Sequence, residues 1–268
     1  MSMEAWLSKH SYLRPIAEFH VEVSEAMAKI ALTHAHIPNW PQYLDDYKQG
    51  IPVLKSLREV IDCEELQRIV ISLLRLLSCA PLPGQLKQKS MELHADFQQG
   101  PPQLVAWLLG NGDCPCSHPG LLRHVGWTAL AQYLQPLVGA FEGWRDEESW
   151  MRCYCPVCGS GPSMAQLAGS DPGRRRLLVC GCCRMRWQFL RIGCPFCENT
   201  NDQRLSALSI EGEKQLRIDY CHSCSGYLKT YISEGRESLM LADWTSLHLD
   251  ILAKDKGLLR MASSLYEL

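Results

Sequence analysis

The sequence predicts an α+β protein: an N-terminal helical domain, then two consecutive small β units built on four cysteines each, then a C-terminal helix. Three observations carry this. Apolar residues recur at helical spacing up to about residue 145 and then stop doing so. Between Tyr154 and Ile232, short runs rich in β-branched and aromatic residues alternate with turn signals. Eight of the 14 cysteines fall into four Cys-x-x-Cys pairs in that same stretch. At 268 residues the chain is long enough for more than one core.

The helical domain is expected over residues 1–148. Pro15 sits where a first-turn proline is tolerated, and Ile16, Phe19, Val23, Met27 and Ile30 follow at helical spacing. That helix should stop before Pro38. Pro41, Tyr43, Leu44 and Tyr47 predict a short helix ended by Gly50. Asp62 and Glu65 make an N-cap pair ahead of a wide stripe of Leu66, Ile69, Val70, Leu73, Leu74 and Leu77. Pro81-Leu-Pro83 breaks this helix, and further helices are expected over Gln85–Phe97, Pro102–Leu109 and Leu121–Leu134. Cys63 and Cys79 read as thiols that pack helices.

Residues 149–192 and 193–234 form the two β units. Strands are expected over Ser163–Leu167, Arg176–Val179 and Trp187–Ile192, then over Leu205–Ile210, Leu216–Tyr220 and Tyr227–Ile232. The units repeat one another. Cys155-Pro-Val-Cys158 corresponds to Cys194-Pro-Phe-Cys197, and Cys180-Gly-Cys-Cys183 to Cys221-His-Ser-Cys224. The pairs stand 21 residues apart in the first unit and 23 in the second. The final segment, 235–268, should contain a helix with Trp244, Leu247, Ile251 and Leu252 on one face.

A Cys-x-x-Cys in a tight turn presents two sulfurs on one side of the backbone, and two such knuckles on neighbouring hairpins close a tetrahedron around an ion. The expected ligands are therefore Cys155, Cys158, Cys180 and Cys183 for one ion and Cys194, Cys197, Cys221 and Cys224 for the other. Gly159, just after Cys158, suits a position of positive φ. Thiolate softness allows iron or zinc, one ion per unit. Cys153 and Cys182 lie close enough in sequence to be substitute ligands. Binding would contribute much of the folding energy of such small units, on the order of 10 kcal/mol. The ions could be structural staples, or could be redox-active or exchanged.

Other features weigh less. Cys114-Pro-Cys116-Ser-His118 offers only three ligands in a proline-bounded loop. His34 and His36, flanking a helix end, read as solvated or capping groups, and His222, between two ligands, as an exposed knuckle residue. Arg174–Arg176, with Arg184, Arg186 and Arg191 nearby, reads as a solvated basic shoulder that offsets thiolate charge, or else as a docking face for an anionic partner. Residues 1–150 carry 12 Lys/Arg and 17 Asp/Glu, net −5, whereas residues 151–232 carry 11 and 6, net +5. Two four-thiolate sites with divalent ions would carry roughly −4 and nearly cancel that excess, so no nucleic-acid surface is expected. There is no Gly-rich phosphate loop, nucleophile elbow or HExxH motif. No catalytic residue is assigned, and the chain reads as a non-enzyme. No apolar run approaches the ~20 residues of a membrane helix, and Met1–Ser11 lacks the apolar core of a signal peptide. Paired cysteines two residues apart suit metal better than disulfides, so the expected setting is a reducing cytoplasm.

At these cysteines the sequence resembles the FdhE family of formate dehydrogenase accessory proteins. The matching pieces are Cys155-Pro-Val-Cys-Gly159, Cys180-Gly-Cys-Cys183 with Trp187, Cys194-Pro-Phe-Cys197, Cys221-His-Ser-Cys224 with Tyr227-Leu-Lys229, and Ser246-Leu-His-Leu-Asp250. The resemblance is specific over about residues 153–262 and covers only the general layout before that. It implies two rubredoxin-like or zinc-ribbon-like units that bind iron through the eight paired cysteines. It further implies a cytoplasmic assembly factor whose partner is the catalytic subunit of respiratory formate dehydrogenase before export. The alternative is a rubredoxin-like electron carrier or redox sensor.

Overall fold

The structure, a computed structural model, describes residues 2–97, 104–110, 116–170, 172–233, 235 and 239–262. In chain order its α-helices are α1 (Met3–Leu7), α2 (Arg14–Ala28), α3 (Trp40–Gln49), α4 (Val53–Ser56), α5 (Cys63–Cys79), α6 (Gly84–Phe97), α7 (Leu104–Leu108), α8 (Pro119–Trp144) and α9 (Leu247–Asp255). The strands are β1 (Pro162–Ala168), β2 (Arg175–Cys180), β3 (Arg186–Phe189), β4 (Leu205–Ile210), β5 (Glu213–Cys221) and β6 (Tyr227–Ser233). The chain forms two compact units, one of Met1–Pro38 with Arg58–Phe141, the other of Asn39–Leu57 with Glu142–Leu268. Neither unit is one contiguous segment.

The first unit is helical. Its core follows the predicted stripe on α5, where Leu66, Ile69, Val70, Leu73, Leu74 and Leu77 are all 0% exposed. The Asp62 carboxylate accepts the Glu65 amide at 3.0 Å, as an N-cap should. The Glu65 carboxylate does not return to the cap. It binds Thr33 Oγ1 and Arg68 Nε, both at 2.6 Å. Cys63 and Cys79 are exposed rather than packed between helices, because they occupy the two ends of α5, off the stripe. Helix α8 runs ten residues beyond the expected Leu134 and passes through Pro136. Leu137 and Phe141, both fully buried, continue its apolar face beyond the proline. Burial there offsets the lost backbone bond.

The second unit holds all six strands in one sheet of order β3-β2-β1-β6-β5-β4. Each four-cysteine segment is an antiparallel meander, as expected from its turns. The two meanders are not separate sheets. β1 and β6 pair in parallel, from Met164 opposite Lys229 to Ala168 opposite Ser233. This pairing covers the edge each meander would otherwise leave open. Residues 39–57 belong to this unit through aromatic packing. Tyr47 stacks on Trp150 with ring centroids 5.3 Å apart, and its hydroxyl donates to the Asp146 carbonyl at 2.7 Å. Gly50 ends α3 in the left-handed region at φ +81°, as its position predicted.

The last helix turns a different face inward from the one its apolar spacing predicted. Trp244 and Leu247 are buried, but Ile251 is 52% exposed and Leu252 37%. Leu249, Asp250 and Ala253 point inward instead. The reason is electrostatic. Lys229 on β6, fully buried, places Nζ 2.6 Å from both Asp243 and Asp250. Arg260 binds the same two carboxylates, and the Tyr227 hydroxyl donates to Asp250 at 2.7 Å. Two cations and two anions thus neutralise one another out of water, which is what a buried charge requires.

Removing one partner leaves the others uncompensated. Asp250→Ala should cost about 3 kcal/mol or more, and Ile251→Ala less than about 0.5 kcal/mol, in urea unfolding of the metal-loaded chain. Burial alone would raise the Asp243 carboxyl, but Lys229 and Arg260 outweigh it and hold the group well below the usual carboxylate range. Its contribution should therefore be complete above about pH 4 and be lost as the pH falls below that value, which acid unfolding of Asp243→Asn against the parent chain would detect.

Candidate metal centres

Four copies of one backbone turn build the site. In each, the first cysteine's amide donates to the carbonyl five residues on: Cys155 to Ser160, Cys180 to Met185, Cys194 to Asn199 and Cys221 to Gly226, at 2.8–3.0 Å. In three of the four, the residue after the second cysteine donates back to the first cysteine's carbonyl. That residue has positive φ in every case: Gly159 (81°), Arg184 (61°), Glu198 (56°) and Ser225 (58°). Among the described residues, these last three are the non-glycine residues with positive φ. Only Gly159 was foreseen. The signal for the other three was their register after Cys183, Cys197 and Cys224, and their side chains concealed it.

The turns bring the expected sulfurs together. Cys155, Cys158, Cys180 and Cys183 form one group and Cys194, Cys197, Cys221 and Cys224 another, each with its sulfurs within 4.8 Å of one another. Individual separations are 3.5 Å for Cys155–Cys183, 3.4 Å for Cys158–Cys180, and 3.7 Å for Cys194–Cys224 and Cys197–Cys221. A tetrahedron with metal–sulfur bonds of roughly 2.3 Å has edges of about 3.8 Å, whereas a disulfide would need about 2.05 Å. Backbone amides also point at the sulfurs: Cys183 to Cys180, Phe196 to Cys194, Ser223 to Cys221 and Gly226 to Cys224, at 3.4–3.5 Å. Such donors stabilise thiolate ligands. The donor set and its spacing fit a soft four-coordinate ion.

Protonation tells the same story. Burial pushes the thiols of Cys155 and Cys183 well up, while bonds from the neighbouring thiols pull Cys158 well down. In the second group burial raises Cys194 to about 12. For Cys221 burial works upward too, but amide bonds from Ser223 and Cys224 and the thiols of Cys197 and Cys194 prevail, leaving it at about 7. Four sulfurs this close cannot all ionise without a cation among them.

The remaining candidates fall outside these groups. Cys182 is buried beside the first centre, and Cys153 directs its sulfur to Glu198 at 3.6 Å. Cys114 lies outside the described residues, and His118 binds Glu92 at 2.6 Å. His34, His36 and His222 are exposed, the last within 3.0 Å of Ser206 Oγ. The basic shoulder is only partly solvated. Arg175 pairs with Glu147 at 3.0 Å, but Arg176 is 6% exposed and donates to the Gly193 carbonyl at 2.7 Å, tying β2 to the linker between the meanders.

A helical unit joined to a sheet with two four-cysteine groups defines an α+β protein of zinc-ribbon-like type. The chain is similar to proteins of the FdhE family. No family model matches it. It is 32% identical over 186 residues to a Protein FdhE homolog of Pseudomonas aeruginosa, covering 66% of this chain and 59% of that one. It is 30% identical over 138 residues to one of Aquifex aeolicus, covering 49% and 48%. The chain thus aligns with less than two thirds of these relatives' own length. The crystal structure of the FdhE protein from Pseudomonas aeruginosa shares the fold, with a TM-score of 0.63 over 95% of this chain and 88% of that one, at 24% identity.

The turn geometry makes Gly159 and Glu198 opposite cases. Gly159→Val puts a branched side chain at positive φ with Pro52 Cγ only 3.3 Å from the new Cβ, and should cost about 1–3 kcal/mol and weaken uptake at the first centre. Glu198→Gly should change stability by less than about 1 kcal/mol and keep both ions. Metal titration and thermal unfolding would check both. Acidification should release the ions, because each ligand binds only deprotonated and protons win as the pH falls. Loss of thiolate charge-transfer absorption in the cobalt-substituted chain would report it.

Proposed function

We propose that this chain is an accessory factor for the maturation of respiratory formate dehydrogenase. On this reading it binds the catalytic subunit in the cytoplasm, before export, through a scaffold held by two metal ions, iron or zinc. The observation that carries the reading is the pair of closed four-sulfur sites on one sheet. With four protein ligands each, neither centre keeps a coordination position for a substrate, so their chemistry suits shape and recognition rather than turnover. Similarity to FdhE proteins supports the same role. The bound ion would supply the cross-link between knuckles, and the chain's own residues do the rest: amides near the sulfurs hold them as thiolates, and Arg176 fixes the linker. Among the described residues, no helix is long and apolar enough to cross a membrane.

A strain lacking this chain should make the catalytic polypeptide yet show no formate dehydrogenase activity. Purified chain should capture that subunit, and a Cys155→Ser/Cys194→Ser variant should not. Wild-type activity in the deletion strain would end the proposal. A second reading, an electron carrier, is favoured by one observation: Cys197 is exposed, giving the second centre an edge at the surface. It requires a reversible one-electron couple in the iron-loaded chain.

A further inference from the structure

The two centres have the same kind of ligands and differ in surroundings. In the first, Cys155, Cys180 and Cys183 are at most 2% exposed and Cys158 is half-buried; in the second, Cys194 and Cys221 are equally buried, and the difference lies at Cys197. Residues before and in α4 lie across its first knuckle: the Val53 and Leu54 amides donate to the Pro156 and Val157 carbonyls at 2.9 and 3.0 Å. Met185 and Trp187, both fully buried, belong to its second knuckle and the strand that follows.

The second centre is open on one flank and strapped on another. Cys197 is exposed. A cavity of about 240 Å³ reaches the centre and is lined by Cys194 and Cys221 together with Arg176, Arg217, Phe196 and Tyr220. On the strapped flank, the segment after α9 runs along the fourth knuckle. The Leu259 amide donates to the Ser225 carbonyl at 2.8 Å, and the Leu259 carbonyl accepts the Tyr227 amide at 3.1 Å. A Cβ on Gly226 would lie 2.9 Å from Met261 Cγ and 3.2 Å from Cys224 Sγ, so Met261 sits over the same turn as the ligand. Arg260, between them, is held by Asp243 and Asp250.

We propose that the second centre is an exchangeable metal site, loaded and unloaded by a soft sulfur or nitrogen donor that enters at Cys197, while the first centre keeps its ion. The strap of residues 258–261 sets the rate of exchange. This rests on the reading that both groups bind metal. Exchange at a closed tetrahedron needs an outside donor to approach before a ligand leaves, and the first centre, with three ligands buried and Cys158 half-buried, offers a narrower approach than the exposed Cys197. At the second centre the incoming donor bonds the ion as the Cys197–metal bond breaks. The freed thiolate takes a proton from solvent, and the other three ligands follow. A divalent ion leaves with the donor, four protons remain on four cysteines, and no electron moves.

The test uses the full chain loaded with two equivalents of zinc, with excess 4-(2-pyridylazo)resorcinol as the probe and iodoacetamide to mark freed thiols for peptide mapping. One equivalent should leave at least about tenfold faster than the other. Label should reach Cys194, Cys197, Cys221 and Cys224 in the fast phase and Cys155, Cys158, Cys180 and Cys183 in the slow one. Arg260→Gln should speed the fast phase severalfold and leave the slow phase alone. Release in a single phase, or earlier labelling of the first set, would overturn the assignment. An unchanged fast phase in Arg260→Gln would overturn the role of the strap. A chain that takes up fewer than two equivalents would remove the metal reading itself, and this inference with it.

Discussion

The constraint on which the second unit depends is the turn that lets two sulfurs two residues apart face one point. It reverses the backbone immediately after the second cysteine, and that reversal needs positive φ. Glycine meets the need at 159, but Arg184, Glu198 and Ser225 meet it against their own preference, each costing about 1 kcal/mol. Three such residues persist because the surrounding structure over-determines them. The amide-to-carbonyl bonds of each turn, the strands that leave it and the sulfur cluster all require the same conformation. An ion held there would contribute on the order of 10 kcal/mol and outweigh the combined strain. Strand register then follows, since β2 and β5 end at Cys180 and Cys221 and must deliver those sulfurs opposite the first pair of each unit.

What could be read from residues alone was what repeats locally. Eight cysteines in register named both clusters, and the alternating apolar runs gave all six strands with small shifts at their ends. The stripe from Leu66 to Leu77 gave the main core helix of the first unit. What escaped was non-local or polar. The parallel pairing of β1 with β6 joins residues over sixty positions apart and leaves no periodic trace. The inward face of α9 was misjudged because the decisive residue is an aspartate, which apolar spacing counts as outward. Lys229, itself an improbable core residue, and Arg260 make that burial favourable.

The basic excess of the cysteine-rich stretch takes on a different meaning in three dimensions. Arg176 holds the linker carbonyl of Gly193, Arg186 donates to Gln166 at 2.6 Å, Arg217 pairs with Asp219 at 2.7 Å and Lys229 lies in the buried quartet. These cations serve as internal cross-braces of the four-cysteine unit. The net charge of the segment therefore overstates the charge available at its surface.

The side-by-side pairing of the first and last strands has a consequence for biosynthesis. As the chain leaves the ribosome, the first meander is complete once Phe189 has emerged, yet its β1 edge has no neighbour until Ser233 follows. For that interval the nascent protein presents an open strand edge, the kind that recruits other chains. Closing the sheet is therefore a late, long-range event, and the stretch of translation between those two residues is when this protein is most exposed to misassembly.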